Sequence, residues 1–340
     1  MSEKKIYTLA IESSCDDTSA AVLCNDVVLS NIVARQAIHE EYGGVVPELA
    51  SRAHQQNIVP VVEVAIKKAG ITKEDLDCIA FTQGPGLMGS LLVGGSFAKS
   101  LSIAICVPLI AVNHMKAHIL AHFIDEEGYD KPTFPFLALT ISGGHTQIVK
   151  VNSFFDLEII GETTDDAVGE AFDKSAKILG LPYPGGPLVD KFAQEGNPKV
   201  FPFTKPKVEG LNFSFSGLKT QILYFIQKNV AVNPNFVEEN KADICSSIQY
   251  TIINILMDKL KLAVAETGIN QIAIGGGVSA NSGIRITLKE AEQKYGWKTY
   301  VPKFEYTTDN AAMIGIVGYY NFLEGNYSNS ETTSKARIEF

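Results

Sequence analysis

The sequence predicts an α/β protein of two similar lobes, with a ligand expected in the cleft between them. Three observations carry that prediction. Two strand–polar turn–strand segments, TLAIESSCDDTSAAVL near the start and FLALTISGGHTQIVKV near the middle, share one pattern and read as an internal repeat. Strand-like apolar runs are interleaved with stretches of helical period, the order expected when helices cover a sheet. The 340 residues, 46% hydrophobic and 20% charged, suffice for two lobes with a substantial core.

Taken in order, residues 6–12 (IYTLAIE) form a buried strand, followed by the turn SSCDDTS and the strands AAVLC and VVLSNIVA. A turn rich in Ser, Asp and Thr can offer N–H and hydroxyl groups to an anion, and equally can be a plain capped hairpin. Residues 47–69 carry apolar residues at helical spacing up to Gly70, with a kink or break expected at Pro60. CIAFTQGPGLMGS is a strand entering a Gly-rich turn that opens a helix over about residues 89–104; the Gly-Lys-Ser/Thr of a phosphate loop is absent. The strand PLIAVN follows. The polar residues 123–135 mark the lobe boundary, giving an N-terminal lobe over 1–125, a C-terminal lobe over 130–325 and a tail over 326–340.

In the second lobe, Gly143-Gly144 in the repeat hairpin would let a phosphate or carbonyl approach the backbone. AVGEAFDKSAKILGL is a helix with Asp173 and Lys174 on its polar side, and a Pro-Gly-Gly-Pro turn leads into a short helix. LNFSFSGLKTQILYFIQK and DICSSIQYTIINILMDKLKLAVAETG read as long, largely buried helices. QIAIGGGVSANSGIRITLKEAEQKYG is a strand, a Gly-rich turn and a helix. Thr308-Asp309-Asn310 opens the last helix, where Asp309 as N-cap is the ordinary expectation. The tail is expected to be polar and mobile up to its last residues.

The net charge of −9 argues against nucleic-acid binding through global electrostatics and asks for a local basic patch or a partner if the substrate is a nucleic acid. A start without signal-peptide design, and no run of about 18 apolar residues, lead us to expect a cytoplasmic protein without a membrane span. Five cysteines (Cys15, Cys24, Cys78, Cys106, Cys245) form no Cys-x-x-Cys pair and read as structural, with Cys15 in the polar turn the least certain of them.

The chemistry-bearing stretch is Val112-Asn113-His114-Met115-Lys116-Ala117-His118. On a helix, His114 and His118 share one face and can converge on a metal, although paired histidines are also ordinary surface or core residues. The peptidase pattern His-Glu-x-x-His has its general base after the first His; here Met115 stands there, which disfavours such a peptidase. Two histidines leave a metal short of ligands, so a third must come from elsewhere. His122 lies two turns from His114 and reads as a bystander.

Together, AIESSCDDTSAAV, TQGPGLMGSLLVG, VNHMKAH, TISGGHTQIV, GEAFDKSAKILGLPYPGGP, NFSFSGLKT, IGGGVSANS and TTDNAAMI resemble, in order and approximate spacing, the tRNA N6-adenosine threonylcarbamoyltransferases, once described as glycoproteases. The resemblance implies a two-lobed, duplicated ribonuclease-H-like fold of the actin/Hsp70/sugar-kinase superfamily. It implies that His114, His118 and Asp309 hold one divalent metal, Fe(II) first and Zn(II) as the alternative. Thr140, Ile141, Ser142, Gly143 and Gly144 would line the phosphate and threonylcarbamoyl end of a substrate whose ribose and adenine lie against Asp173, Gly186, Asp190 and Asn281. Glu12, Asp16 and His145 enter as auxiliary contacts, and no general base is assigned. The implied reaction moves a threonylcarbamoyl group from threonylcarbamoyl-adenylate to tRNA, with a paralogous (TsaB-like) subunit and a small (TsaE-like) ATPase as partners. Thr307 departs from the Cys that many relatives carry. A non-catalytic nucleotide-binding scaffold and a glycoprotein metalloendopeptidase are the rival readings.

Overall fold

The computed structural model describes residues 4–338, which divide into two compact units: residues 4–131 with 302–338, and residues 132–301. In the first, β1 (Tyr7–Glu12), β2 (Thr18–Cys24) and β3 (Val27–Ala34) form an antiparallel meander, followed by the short α1 (Ile38–Tyr42) and by α2 (Pro47–Ala69). β4 (Cys78–Gly84), α3 (Met88–Ile105), β5 (Leu109–Asn113) and α4 (His114–Leu120) follow, giving the strand order β3-β2-β1-β4-β5 with β4 and β5 parallel to β1.

The two faces of this sheet differ by residue size. Leu9, Ile11, Ile79 and Phe81 project to one side and form a core with Ile58, Val61, Val62 and Ala65 of α2 and Ala98 of α3. Alternate residues of the same strands, among them Thr8, Ala10 and Ala80, project to the other side and are small. Pro60 does not break α2: it sits on the exposed side, where the carbonyl it leaves without a donor can face water. α3 is, among the described residues, the one helix long and apolar enough by length and composition to cross a membrane, with a third of it buried; small residues and a single Lys99 give it that composition. Lys99 and four serines interrupt it, so it is not an unbroken apolar run.

The second unit repeats the topology. β6 (Phe136–Ile141), β7 (Thr146–Val151) and β8 (Leu157–Glu162) form the meander, then come α5 (Val168–Ile178), α6 (Gly186–Ala193), α7 (Ser216–Val230) and the 32-residue α8 (Phe236–Thr267). β9 (Gln271–Gly275), α9 (Ser282–Tyr295) and β10 (Lys298–Tyr300) complete a sheet of order β8-β7-β6-β9-β10, again with the last two strands parallel. Its core joins Leu137, Leu139, Ile272 and Ile274 of the sheet to Phe172 of α5, Ile222 of α7, and Ile248 and Ile252 of α8. The duplicated meander-plus-two-parallel-strands plan is the ribonuclease-H-like arrangement.

The chain then returns to the first unit. α10 (Ala311–Leu323) packs on β1, β2, β4 and β5, so residues 302–325 belong with the first sheet and not with the second lobe, where the sequence reading had put them. Gly315 and Gly318 make the packing possible: a Cβ there would come within 2.3 Å of Leu23 and 2.5 Å of Ala80. The tail is not free either. Ser328 bridges to Leu109, Lys335 N donates to Gln83 O at 2.8 Å, Gly86 N donates to Ala336 O at 3.2 Å, and Ser334 Oγ donates to Leu91 O at 3.2 Å. Its backbone groups find partners on the turn into α3, which is why its polar side chains do not set it loose.

Candidate metal centre and glycine-rich cradle

α4 begins where β5 ends because Asn113 caps it, its Oδ1 accepting from Met115 N at 2.9 Å and Lys116 N at 3.1 Å. This fixes His114 as the first helical residue and sets His118 one turn on, both buried, with ring centres 4.7 Å apart at right angles. Asp309 arrives from the other end of the chain. The residue that caps α10 is Asn310, whose Oδ1 accepts from Met313 N at 3.1 Å, so Asp309 is released from the capping role that the sequence suggested. Its Oδ1 lies 3.2 Å from His118 Nε2 and 3.4 Å from His114 Nε2. Thr307 donates its hydroxyl to Phe304 O at 2.7 Å and ties down the preceding turn.

One ligand atom from each of His114, His118 and Asp309 lies within 4.8 Å of the others, and His122, though near in sequence, is not in the group. Two imidazole nitrogens and a carboxylate oxygen are a donor set suited to Fe(II) or Zn(II). These residues therefore fit a metal. Behind His114, the fully buried Glu12 places Oε2 3.0 Å from Nδ1, and Ser14 Oγ lies 3.3 Å from the same nitrogen. Glu12 is in turn held by Ser14 N and by the Thr82 hydroxyl of β4. A carboxylate on Nδ1 orients the ring and leaves Nε2 toward Asp309, the outer support that metal-binding histidines need. His118 Nδ1 is buried and has no partner.

The electrostatics follow from burial and opposite charge. Burial alone would lower the His114 pKa, but the Asp309 and Glu12 carboxylates outweigh it and hold it well above the usual imidazole value. For His118 burial wins and the pKa is lowered. Burial pushes Asp309 up, yet the two imidazoles pull it well below the ordinary carboxylate range, and Glu12 is lowered by His114 against its own burial. In the neighbouring turn, burial together with Asp16 and Asp309 raises Asp17 to about 7 and pushes the Cys15 thiol up, which favours the thiol over the thiolate. Asp16 is half-buried in that turn. His54 of α2 pins the turn from behind, Nδ1 lying 2.7 Å from Thr18 Oγ1 and Nε2 3.0 Å from Cys15 O.

In the second unit the residues singled out from the sequence also meet. Ser142 N donates to His145 O at 2.9 Å and His145 N to Ser142 Oγ at 3.0 Å, closing the hairpin turn. Gly143 and Gly144 at its tip are exposed, and a Cβ on either would meet nothing within 4 Å. Thr140 and Ile141 are buried in β6, Thr140 Oγ1 donating to Gln147 O at 3.4 Å. Two glycines that the sequence reading did not single out press on this turn. Gly169 of α5 donates its N–H to Ser142 O at 3.1 Å, and Gly276, at φ +88°, has room for a hydrogen only, since a Cβ would lie 2.5 Å from Ile141 O.

Asp173 is half-buried, not exposed as expected; its Oδ1 accepts from Gly185 N at 2.8 Å and Gly186 N at 2.9 Å. Burial raises its pKa, against the pull of those two N–H groups. Lys174 is likewise held, 2.7 Å from both Asp166 and Glu170. Asp190 accepts from Ser282 N at 2.9 Å and from its hydroxyl at 2.8 Å, while Asn281 caps α9 and donates Nδ2 to Gln249 Oε1 at 2.7 Å. A chain of hydrogen bonds thus joins α5, α6, α8 and α9 around the predicted residues. Gln249 and Ser282 were missed, since nothing in their local pattern marks them.

The fold defines a duplicated α/β protein of the actin/Hsp70/sugar-kinase class, whose first unit brings together two histidines and an aspartate that could hold a metal ion. Residues 27–316 match the profile of the TsaD family, described as tRNA N6-adenosine threonylcarbamoyltransferase. Proteins of that name from Christiangramia forsetii, Riemerella anatipestifer and Porphyromonas gingivalis are 71%, 60% and 57% identical over 100%, 99% and 99% of this chain and 100%, 98% and 99% of their own. The chain belongs to the tRNA N6-adenosine threonylcarbamoyltransferase family, a family of transferases that modify tRNA. Among solved structures, full-length HypF in its phosphate- and nucleotide-bound form matches with TM-score 0.63 at 14% identity, over 96% of this chain and 57% of that one. Component A of the Acidaminococcus fermentans (R)-2-hydroxyglutaryl-CoA dehydratase matches at 0.52 and 16%, over 93% and 98%. At such identities the likeness is one of fold.

Proposed function

We propose that this chain transfers the threonylcarbamoyl group of threonylcarbamoyl-adenylate to N6 of the adenosine beside the anticodon (position 37) in tRNAs that read codons beginning with A, releasing AMP. The observation that carries this reading is the convergence of His114, His118 and Asp309 on one point in a member of this family. The donor is a mixed anhydride. The N6 amine attacks the carbamoyl carbon, a C–N bond forms, the C–O bond to the phosphate breaks, and the amine gives up a proton. The donor is already activated, so the reaction does not demand a strong base.

His114 Nε2, His118 Nε2 and the Asp309 carboxylate would hold a divalent metal, Fe(II) first and Zn(II) as the alternative, which supplies Lewis-acid stabilisation of negative charge. Glu12 keeps His114 turned for that task, with Asp16 a neighbour in the same turn. In the second unit, Thr140, Ile141, Ser142, Gly143 and Gly144 would take the phosphate and threonylcarbamoyl end. The open tip at Gly143-Gly144 lets backbone N–H groups approach an oxyanion, with His145 beside it. Gly186, Asp190 and Asn281 would frame ribose and adenine, and Asp173, with Oδ1 committed to the turn, has Oδ2 left for a hydroxyl. A paralogous TsaB-like subunit, a small TsaE-like ATPase and a cytoplasmic setting complete the reading.

The test supplies labelled threonylcarbamoyl-adenylate, unmodified tRNA and the partner proteins, with a family member of known activity as positive control. Label should move to tRNA with the wild-type chain. No transfer while the control works would leave the reading without support and favour a scaffold role.

A further inference from the structure

Charge is divided unevenly along the chain. Residues 1–131 and 302–340 carry 13 Lys and Arg against 21 Asp and Glu, whereas residues 132–301 carry 16 against 17. Within the second unit, lysines gather on one stretch of surface. Lys205 and Lys261 both reach Asp258 of α8, the latter at 3.3 Å. Lys259 Nζ donates to the carbonyls of Val208, at 2.9 Å, and Gly210, clamping the irregular segment 204–210 to α8. Thr204, at the start of that segment, is pinned to α7 by Gln221, whose Oε1 accepts from Thr204 N at 2.9 Å. Lys207 is exposed between these anchors. Farther along, Lys261 Nζ lies 5.5 Å and Lys294 Nζ 5.3 Å from the ring centre of the exposed Tyr295 on α9.

Lys205, Lys207, Lys259, Lys261 and Lys294 lie on this ridge, where Asp258 takes Lys205 and Lys261, Glu209 stands in the segment itself, and Lys289 takes Glu292 beside Glu290 on α9. The backbone beneath them is held in place by its own hydrogen bonds, and an aromatic ring sits between two of the ammonium groups. Ordered cations with an interleaved aromatic are what a single-stranded or looped polynucleotide needs: ammonium groups for phosphates, a ring for a base or ribose. An acidic chain that acts on tRNA must collect its favourable electrostatics locally.

We propose that the ridge formed by segment 204–210, the middle of α8 and the end of α9 is a contact surface for the tRNA backbone. The proposal rests on the tRNA-modifying reading above and names the surface that reading lacks.

The experiment measures binding of unmodified tRNA by the full chain over a range of salt. The ridge variant combines Lys207→Glu, Lys261→Gln and Lys294→Glu, with Tyr295→Ala as a separate single variant. Lys67→Glu with Lys68→Glu, on the exposed side of α2, serves as the charge control. The ridge variant should bind roughly tenfold or more weaker at low salt, and its plot of log affinity against log salt should be shallower by about 2, while the control keeps the wild-type slope. Tyr295→Ala should weaken binding without changing the slope, because a stacked ring releases no counterion. Melting temperatures matching the wild type would exclude misfolding as the cause. Wild-type binding with an unchanged affinity and slope in the ridge variant would overturn the proposal and leave the transferase reading intact. Absence of both tRNA binding and threonine transfer in the wild type would sink the reading itself, and the proposal with it.

Discussion

The two units share a plan and differ in what they put at its tip. In each, a strand–turn–strand hairpin carries the polar turn, and the segment after the fourth strand presses a glycine against that turn. In the first unit Gly86 meets Ser14, where a Cβ would lie 2.4 Å from the carbonyl oxygen. In the second, Gly276 meets Ile141 at a corresponding 2.5 Å. The first turn then supports the buried Glu12 and, through it, His114, whereas the second ends in the open Gly143-Gly144. One scaffold therefore supports a charged, buried centre suited to a cation and an exposed, glycine-lined turn suited to an anion. The fold supplies the position, and a handful of side chains decide the chemistry.

The largest effect that should separate the units is on catalysis. His114→Ala and Asp309→Ala each remove a donor from the first-unit centre, which should cost several kcal/mol of transition-state stabilisation. Threonine transfer is expected to fall roughly a thousandfold, measured with saturating adenylate. Transfer within a few-fold of wild type would place the chemistry elsewhere.

The paired glycines sharpen the comparison further. Gly276→Ala imposes both a positive φ and a clash with backbone, and should lower the unfolding free energy by about 2 kcal/mol, seen as a lower urea midpoint. Metal affinity in that variant should stay at the wild-type value. Gly86→Ala displaces Ser14 instead, so metal affinity should drop along with stability. Equal effects on metal binding in both would erase the distinction drawn between the turns.

A smaller effect is expected at Glu12. Glu12→Gln keeps a hydrogen-bond acceptor for His114 but removes the charge, and should weaken metal binding by roughly 10- to 100-fold with little change in circular dichroism. An unchanged metal dissociation constant would mean that Glu12 serves packing alone.

The smallest lies far from either turn. Asp165 Oδ1 accepts from Phe215 N at 2.8 Å and Ser216 N at 3.3 Å, closing the start of α7 from another segment. Burial raises its pKa, but the hydrogen bonds from Ser214, Phe215 and Ser216 together outweigh it and hold it below the ordinary carboxylate value. Asp165→Ala should cost about 1 kcal/mol at neutral pH. A folded-state pKa below the unfolded one supplies stability above the unfolded value and loses it as pH falls through the folded one. The gap between wild type and variant should therefore close in acid. A gap that widens on acidification would contradict the assignment.

Much of this was legible in the sequence because period and turn chemistry are local. The two hairpins stand out as largely apolar runs around Ser, Asp, Thr and Gly, and His114 with His118 is a spacing on one helix. The association of α10 with the first sheet was not legible, since which sheet a helix covers is decided by fit. The small residues Gly315 and Gly318, matched by Ala10 and Ala80, are the signal that could have revealed it. Asp309 looked like a cap because Asp and Asn are interchangeable in that role, and only the backbone geometry gives it to Asn310. Thr82, which steadies Glu12, is an alternate residue of an apolar strand with no mark of its function. Pro60 looked like a break because a sequence does not say which side of a helix faces water.

The most direct measurement is metal content, taken side by side on wild type, Asp309→Ala and Asp190→Ala after anaerobic reconstitution with Fe(II). The account predicts about one equivalent in wild type and in Asp190→Ala, and almost none in Asp309→Ala, with all three equally folded. Asp309→Ala retaining as much metal as wild type would contradict it.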